Sequence, residues 1–256
     1  MSGPLELRRY LDPRERDAAA ACPIRDAVNI PLGELARRTH ELPPPSDTIS
    51  IATDQALYVR TSNALMALGR TCSHISEFDH ETAPSTTRGR LWRPSAFVER
   101  AARTLSPGRA IDVGCGTGRD AVFLAAGGWR VVAIDHLPDA IHRGLGLAHH
   151  SGIAPGAIQW NCADARSTIR KQIAEFDLVV FVRFFDRAVV EQATQITRPG
   201  GSIVIEAFED SSATGPRCPA TSEAELRRLF NGLEFRQVEA GTDERGRRLL
   251  RVWAIR

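Results

Sequence analysis

The sequence predicts an α/β fold: a parallel sheet flanked by helices and closed by an antiparallel hairpin, with a small α/β unit ahead of it. Three observations predict it. The stretch Ala110–Asp135, AIDVGCGTGRDAVFLAAGGWRVVAID, runs from a short apolar segment through Gly114, Gly116 and Gly118 into helical spacing, then a second apolar segment ending in an acid. Apolar runs and helical patterns go on alternating after it, which is the signature of βαβ units. The chain then closes with two strand-like runs, Leu233–Val238 and Leu249–Ile255, across a turn at Thr242–Gly246.

The glycine stretch carries the chemistry. Ala110–Val113 reads as a buried strand, Arg119–Ala126 as a helix and Val131–Ile134 as the next strand. Glycines permit positive φ and a close ligand approach. A helix opening near Arg119 aims free N–H groups and the positive end of its dipole at the loop. Asp135, at the tip of the second strand about 20 residues on, suits a ribose diol. A dinucleotide fingerprint wants its third glycine three places after the second; Arg119 stands there instead.

The G-x-G-x-G spacing, with Asp112 in the strand before it and Asp135 after, resembles motif I of class I S-adenosylmethionine (SAM) methyltransferases. The resemblance spans about Trp92–Arg256 and implies a Rossmann-like class I methyltransferase sheet. It implies SAM as cofactor, with Gly114, Gly116 and Gly118 passing near its methionine part, Asp112 near its amino group and Asp135 on its ribose. Asp164, after the third strand Ala157–Asn161, would reach the adenine amine; an ordinary turn aspartate is the other reading. Cys115 inside the loop, His136 and Ala165 beside the two acids, and Arg183 after the fourth strand complete the expected cofactor set.

Length and composition bound the rest. With 256 residues the chain holds one large domain or two small ones, and 43% hydrophobic residues supply a core. A net charge of +2 gives no basic footprint for nucleic acid. No apolar run reaches membrane-span length, and MSGPLELRRY has no signal-peptide core. The five cysteines are scattered without a C-x-x-C pair, so neither zinc nor a disulfide framework is suggested, and a reduced, cytoplasmic protein is expected.

Residues 1–71 read as a separate unit. Leu32, Leu35 and Leu42 suggest part of a helical face stopped by Pro43-Pro44-Pro45; Thr48–Ala52 reads as a strand and Tyr58–Leu68 as a helix. Asp12 and Arg14, then Ala27–Pro31, then TISIA resemble a rhodanese-like domain. That family carries its catalytic cysteine just after this strand, where Thr53 stands here, and Cys22 falls too early to replace it. The resemblance therefore implies a degenerate rhodanese-like domain, an accessory or dimerisation module, with retained binding of a sulfur compound or a protein partner as the alternative. Residues 72–90 read as a polar linker. His74 and His80, near Glu77, Asp79 and Glu81, lack a second ligand pair at a metal-binding spacing, so no metal is expected.

Residues 91–256 form the expected methyltransferase domain. Leu91–Leu105 suggests a helix with Phe97, Ala101 and Leu105 inward. Pro138–His149 reads as a second helix, Phe176–Val182 as a buried fourth strand, Ser202–Ala207 as a fifth, and Ser211–Pro219 as a polar loop able to line a pocket mouth. Arg93, Phe184 and Asp186 are expected around the methyl acceptor; Trp92 is read first as an anchor of the following helix to the core and second as a stacking group beside that acceptor. No [DN]-P-P-[YF] tetrad follows the fourth strand; FVRFFDR stands there, against base amino-methylation. GRDAVFLAAGGWRVVAID, FVRFFDR and GPRCP resemble tellurite-resistance and thiol methyltransferases, which implies a small-molecule acceptor, a thiol or another chalcogen nucleophile. An RNA or protein methyltransferase, and a non-catalytic SAM-binding protein, stay open, as does the oligomeric state, with a homodimer among its readings.

Overall fold

The computed structural model describes residues 5–81, 88–170, 176–209 and 220–256. The chain divides into a unit that ends at Arg93 and a second unit, Pro94–Arg256. The expected loop at Ser211–Pro219 and most of the polar stretch 82–90 lie outside the described residues.

In the first unit, β1 (Leu5–Leu7), β2 (Tyr10–Asp12), α1 (Arg16–Ala21), β3 (Ala27–Asn29), β4 (Ile49–Ala52), α2 (Gln55–Ala67), β5 (Cys72–Ile75) and β6 (Arg88–Arg90) follow in order. The strands make a four-stranded parallel sheet, β3-β2-β4-β5, and a separate parallel pair, β1-β6. Leu11, Ile30, Leu35, Leu42, Ile49, Ile51, Leu65 and Leu91 form its core.

Three expectations for this unit need correction. Leu32–Leu42 is no helix: two 3₁₀ turns, Leu32–Glu34 and Thr39–Glu41, bury Leu35 and Leu42 instead. Residues 72–90 are not simply a linker, because β5 is an edge strand of the sheet and β6 pairs with β1. The polar sequence of β5 concealed it: Ser73 faces Ser50 at 3.3 Å, and His74 stacks on Tyr58 with centroids 4.3 Å apart, so no apolar alternation was needed. The unit also extends past residue 90, taking in Trp92 and Arg93.

The second unit comprises α3 (Ala96–Thr104), β7 (Arg109–Val113), α4 (Arg119–Ala126), β8 (Arg130–Asp135), α5 (Pro138–His150), β9 (Ile158–Cys162), α6 (Ala165–Ile169), β10 (Phe176–Val182), α7 (Arg187–Ile196), β11 (Thr197–Phe208), α8 (Glu223–Leu229), β12 (Glu234–Thr242) and β13 (Arg248–Ile255). Its seven-stranded sheet has the order β12-β13-β11-β10-β7-β8-β9. The first five strands in sequence, β7 to β11, are parallel to one another, and β13 enters antiparallel between β11 and β12. The order therefore reverses between β7 and β10, the switch point where open α/β sheets bind ligands at their carboxyl ends.

The local causes are plain. The strands β7 and β10 are almost wholly buried and correspondingly apolar. Ser95, Asp186 and Ser222 cap α3, α7 and α8 by accepting bonds from backbone N–H groups of the first turns. The fifth strand begins earlier than its apolar run: Thr197–Gly201 continues directly from α7 as an irregular entry, Phe176 pairing with Thr197 and Leu178 already with Ser202. Gly200, at φ +77°, makes this bulge feasible.

Trp160 on β9 shows how tightly the layers meet. A Cβ on Gly144 of α5 would lie 2.5 Å from its ring, whereas one on Gly146 would meet nothing within 4 Å. In an open helix position Gly→Ala stabilises by about 1 kcal/mol. Gly146→Ala should therefore raise stability by about 0.5–1 kcal/mol, and Gly144→Ala should lower it by about 1–3 kcal/mol through overpacking. Denaturant unfolding of the two variants checks the opposite signs.

Candidate cofactor site

The site starts at the carboxyl end of β7. The amides of Gly114 and Cys115 both donate to Ile134 O at 2.9 Å, so the turn hangs from the end of β8. Gly118 N donates to Cys115 O at 2.9 Å, and α4 starts at once, with Val122 N donating to Gly118 O. The three glycines have φ of +73°, +53° and +73°, a region costly to side-chain-bearing residues.

Their surroundings differ. A Cβ on Gly114 would lie 2.5 Å from the Phe184 ring, and one on Gly118 would lie 2.4 Å from Trp160. Gly116 alone has nothing within 4 Å and faces open space. Its amide donates to Asp135 Oδ2 at 2.8 Å, and the other carboxylate oxygen accepts from Leu137 N at 2.9 Å. Each oxygen retains a lone pair for a further donor.

Asp112 is 1% exposed, and its Oδ2 has no hydrogen-bond partner among the described residues. Burial, with Asp120 and Asp135 near it, holds its carboxyl well above the usual range, against one stabilising bond from Ala121 N–H. Asp120 opens α4 and accepts from Ser95 N at 2.8 Å. Burial and then Glu206 push its carboxyl up to about 6, while Ser95, Arg119 and Arg183 oppose the shift. Three carboxyl groups thus surround one glycine loop. Cys115 sits among them, its thiol pushed up by burial, which leaves it a small packing residue.

A cavity of about 230 Å³ opens beside the loop, lined by Gly114, Asp135, His136, Asp164, Ala165, Arg183, Phe184 and Asp186 together with Leu137 and Arg166. It brings together most of the positions named from sequence. Asp164 also caps α6 through Ser167 N at 3.0 Å. Asp186 caps α7 and pairs with Arg166 at 2.8 Å. Phe184 stacks on Phe181 with centroids 6.3 Å apart.

Arg183 has φ +55° at the cavity rim, strain of the kind concentrated at functional sites. Its amide donates to Glu206 O at 2.7 Å, and its guanidinium grips Glu244 at 2.9 Å and faces Glu206 at 3.7 Å. The sequence reading missed Asp120, Leu137, Arg166 and Glu244. Asp120 had a signal, an acid in the first turn of the helix that follows the loop; the link to Glu244, 61 residues away, had none.

Trp92 and Arg93 fall in the N-terminal unit. Trp92 is 2% exposed, with the Arg90 guanidinium over its ring, and Arg93 faces Asp47 at 3.7 Å. Trp92 is an anchor. In that unit Thr53 follows β4 with a buried hydroxyl that has no partner among the described residues, and its carbonyl accepts from His74 Nε2 at 2.8 Å.

A sheet reversing at β7/β10, with a glycine loop and an acid on the neighbouring strand, defines an α/β domain built for a nucleoside-containing cofactor. Residues 110–201 match the family described as "Methyltransferase domain". The matched segment is thus similar to methyltransferase domains, whose cofactor is S-adenosylmethionine. Among solved structures, TehB from Haemophilus influenzae is similar at 22% identity and a TM-score of 0.53, covering 62% of this chain and 61% of that one. Hemagglutinin 1 of Eikenella corrodens is 26% identical over 164 residues, 59% of this chain and 54% of its own. An uncharacterized protein of Schizosaccharomyces pombe, UNK4.09, is 23% identical over 261 residues, 78% of this chain and 76% of its own. The chain spans about half the length of the first of these curated relatives. Among the described residues, no helix is long and apolar enough to cross a membrane and no cluster could hold a metal ion.

The raised Asp120 carboxyl makes a signed prediction. The folded state holds this proton more tightly than the unfolded chain, so its contribution is complete below pH 3.8 and is lost as pH rises through about 6. Asp120→Asn keeps an acceptor for Ser95 N without the charge. Thermal melts from pH 4 to 7 should show the variant gaining on wild type as pH rises through that window; a constant difference would contradict the assignment.

Proposed function

We propose that the chain transfers the methyl group of SAM to a small-molecule acceptor, a thiol or another chalcogen nucleophile. The observation that carries this reading is Asp112: a buried carboxyl with an orphaned oxygen, beside an open loop at Gly116 and one strand from Asp135. The residues present fit the cofactor. Asp112 suits its ammonium group, Asp135 its ribose hydroxyls, and Asp164 and Ala165 its adenine end. Asp120 adds negative charge on the side where a cationic cofactor belongs.

When bound, SAM supplies a sulfonium-activated methyl. The chain's part is to hold the acceptor in line and exclude water. Phe184 and Asp186 form one wall of the cavity, and Arg166 and Arg183, each ion-paired to a carboxylate, edge it. With the methyl already activated, no strong general base is required. Near-neutral charge supports a small acceptor over RNA.

The N-terminal unit is read, on Asp12, Arg14, Ala27–Pro31 and the TISIA strand, as a degenerate rhodanese-like domain with an accessory role, packing or homodimerisation. A cytoplasmic setting accords with the scattered free cysteines.

Incubation with methyl-labelled SAM and a panel of thiols, selenite, tellurite and phenols should yield a labelled product and S-adenosylhomocysteine. Asp135→Ala should raise the SAM KM about 10- to 100-fold, the cost of one or two lost hydrogen bonds. Label transfer to phenols alone would overturn the acceptor class, and no transfer to any acceptor despite SAM binding would favour a non-catalytic SAM-binding protein.

A further inference from the structure

A second group of reactive side chains lies in the N-terminal unit, and the methyl-transfer reading does not use it. Cys22 Sγ is 3.2 Å from His80 Nδ1, although the two residues are 58 apart in sequence. Both are solvent-exposed.

Each group stands on backbone fixed by other contacts. Cys22 caps the carboxyl end of α1, its N–H donating to Ala18 O at 3.2 Å. Its carbonyl accepts from Arg14 Nη2 at 2.8 Å, and that guanidinium is itself held two-pronged by the buried Asp12 carboxylate at 2.8–2.9 Å. His80 forms an antiparallel bridge with Ile24. Arg25 N donating to Asp79 O at 2.8 Å and Glu81 N donating to Pro23 O at 2.9 Å clamp it on either side. The Phe78 ring meets the imidazole edge-on, with centroids 5.6 Å apart. The thiol and imidazole therefore meet through two restrained segments.

The other cysteines give the contrast. Burial pushes the thiols of Cys115 and Cys72 up. Cys162 is exposed like Cys22, but its sulfur faces only the carbonyl of His136, at 4.0 Å. Among the described cysteines, Cys22 alone joins exposure to a base within hydrogen-bond reach, the arrangement that activates a thiol nucleophile.

We propose that Cys22 and His80 form a thiol-exchange site whose substrate is a low-molecular-weight disulfide. His80 Nδ1 takes the Cys22 proton as the sulfur attacks one sulfur of the disulfide. The disulfide's S–S bond breaks and a Cys22–S–S–R bond forms. The departing half leaves as a thiol carrying the proton from His80. The Cys22 sulfur is oxidised and the departing sulfur reduced, so the incoming disulfide is the only oxidant. The exchange makes no use of SAM, so the proposal survives a failure of the methyl-transfer reading.

The test treats the full chain with oxidised glutathione near neutral pH and follows the Cys22 and Cys162 peptides by mass spectrometry. Cys22 should form the mixed disulfide on the order of ten- to a hundred-fold faster than Cys162. His80→Ala, and His80→Asn with its smaller change in shape, should bring Cys22 to the Cys162 rate and leave Cys162 unchanged. Equal rates at the two cysteines in wild type, or an unchanged Cys22 rate in both His80 variants, would overturn the proposal. A circular-dichroism melt of each variant, matched to wild type, separates loss of the pair from loss of the fold.

Discussion

The second unit depends on one carbonyl and one carboxylate. Ile134 O takes the amides of both Gly114 and Cys115, and Asp135 takes the amide of Gly116. These bonds force the chain leaving β7 to reverse within a few residues and enter α4 at once. Only residues free at positive φ can follow that path, which is why glycines occupy alternate positions. The same reversal aims the first turn of α4 at the sheet edge and leaves Asp112 beneath the loop. The cofactor site is thus a consequence of how the turn is hung, and Asp135 serves both the turn and the site.

The cost of that arrangement falls on Asp112. A buried carboxyl with an unpartnered oxygen destabilises a folded chain, and two further carboxyl groups nearby add to the penalty. Nothing in the packing of β7 requires an acid there, since its neighbours Ile111 and Val113 are apolar and fully buried. On the proposed reading, a cationic amine held at that oxygen would supply the missing partner. Polar residues at buried positions without internal satisfaction are where local folding rules give way to function.

Much of this was legible in the sequence because the second unit writes its strands as apolar runs. Phe176–Val182 coincides with β10, and the glycine stretch and closing hairpin lie where periodicity placed them. Legibility failed where polar side chains answer each other across elements. The edge strand β5 hides its pairing in Ser73–Ser50 and His74–Tyr58 contacts. The leucines of 32–42 are spaced like a helix, but 3₁₀ turns bury the same side chains between prolines. Trp92 looked like the start of the second unit because the helix after it begins there; compactness assigns it to the preceding one. Asp164 and Asp186, singled out from the sequence, line the same cavity, but their roles as helix caps were not legible. Arg183–Glu244 and Cys22–His80 join residues so distant in sequence that no local pattern could reveal them.

The most direct test of the central claim is one variant measured twice. Asp112→Asn keeps the shape of the side chain and removes the ionisable carboxyl. Melting in the absence of SAM should show it at least as stable as wild type, while calorimetric titration should show SAM binding weakened about 10-fold or more, as expected for loss of a charge-assisted hydrogen bond. If Asp112→Asn binds SAM as tightly as wild type, or if wild type binds none, Asp112 is not held for a cationic cofactor and the account fails.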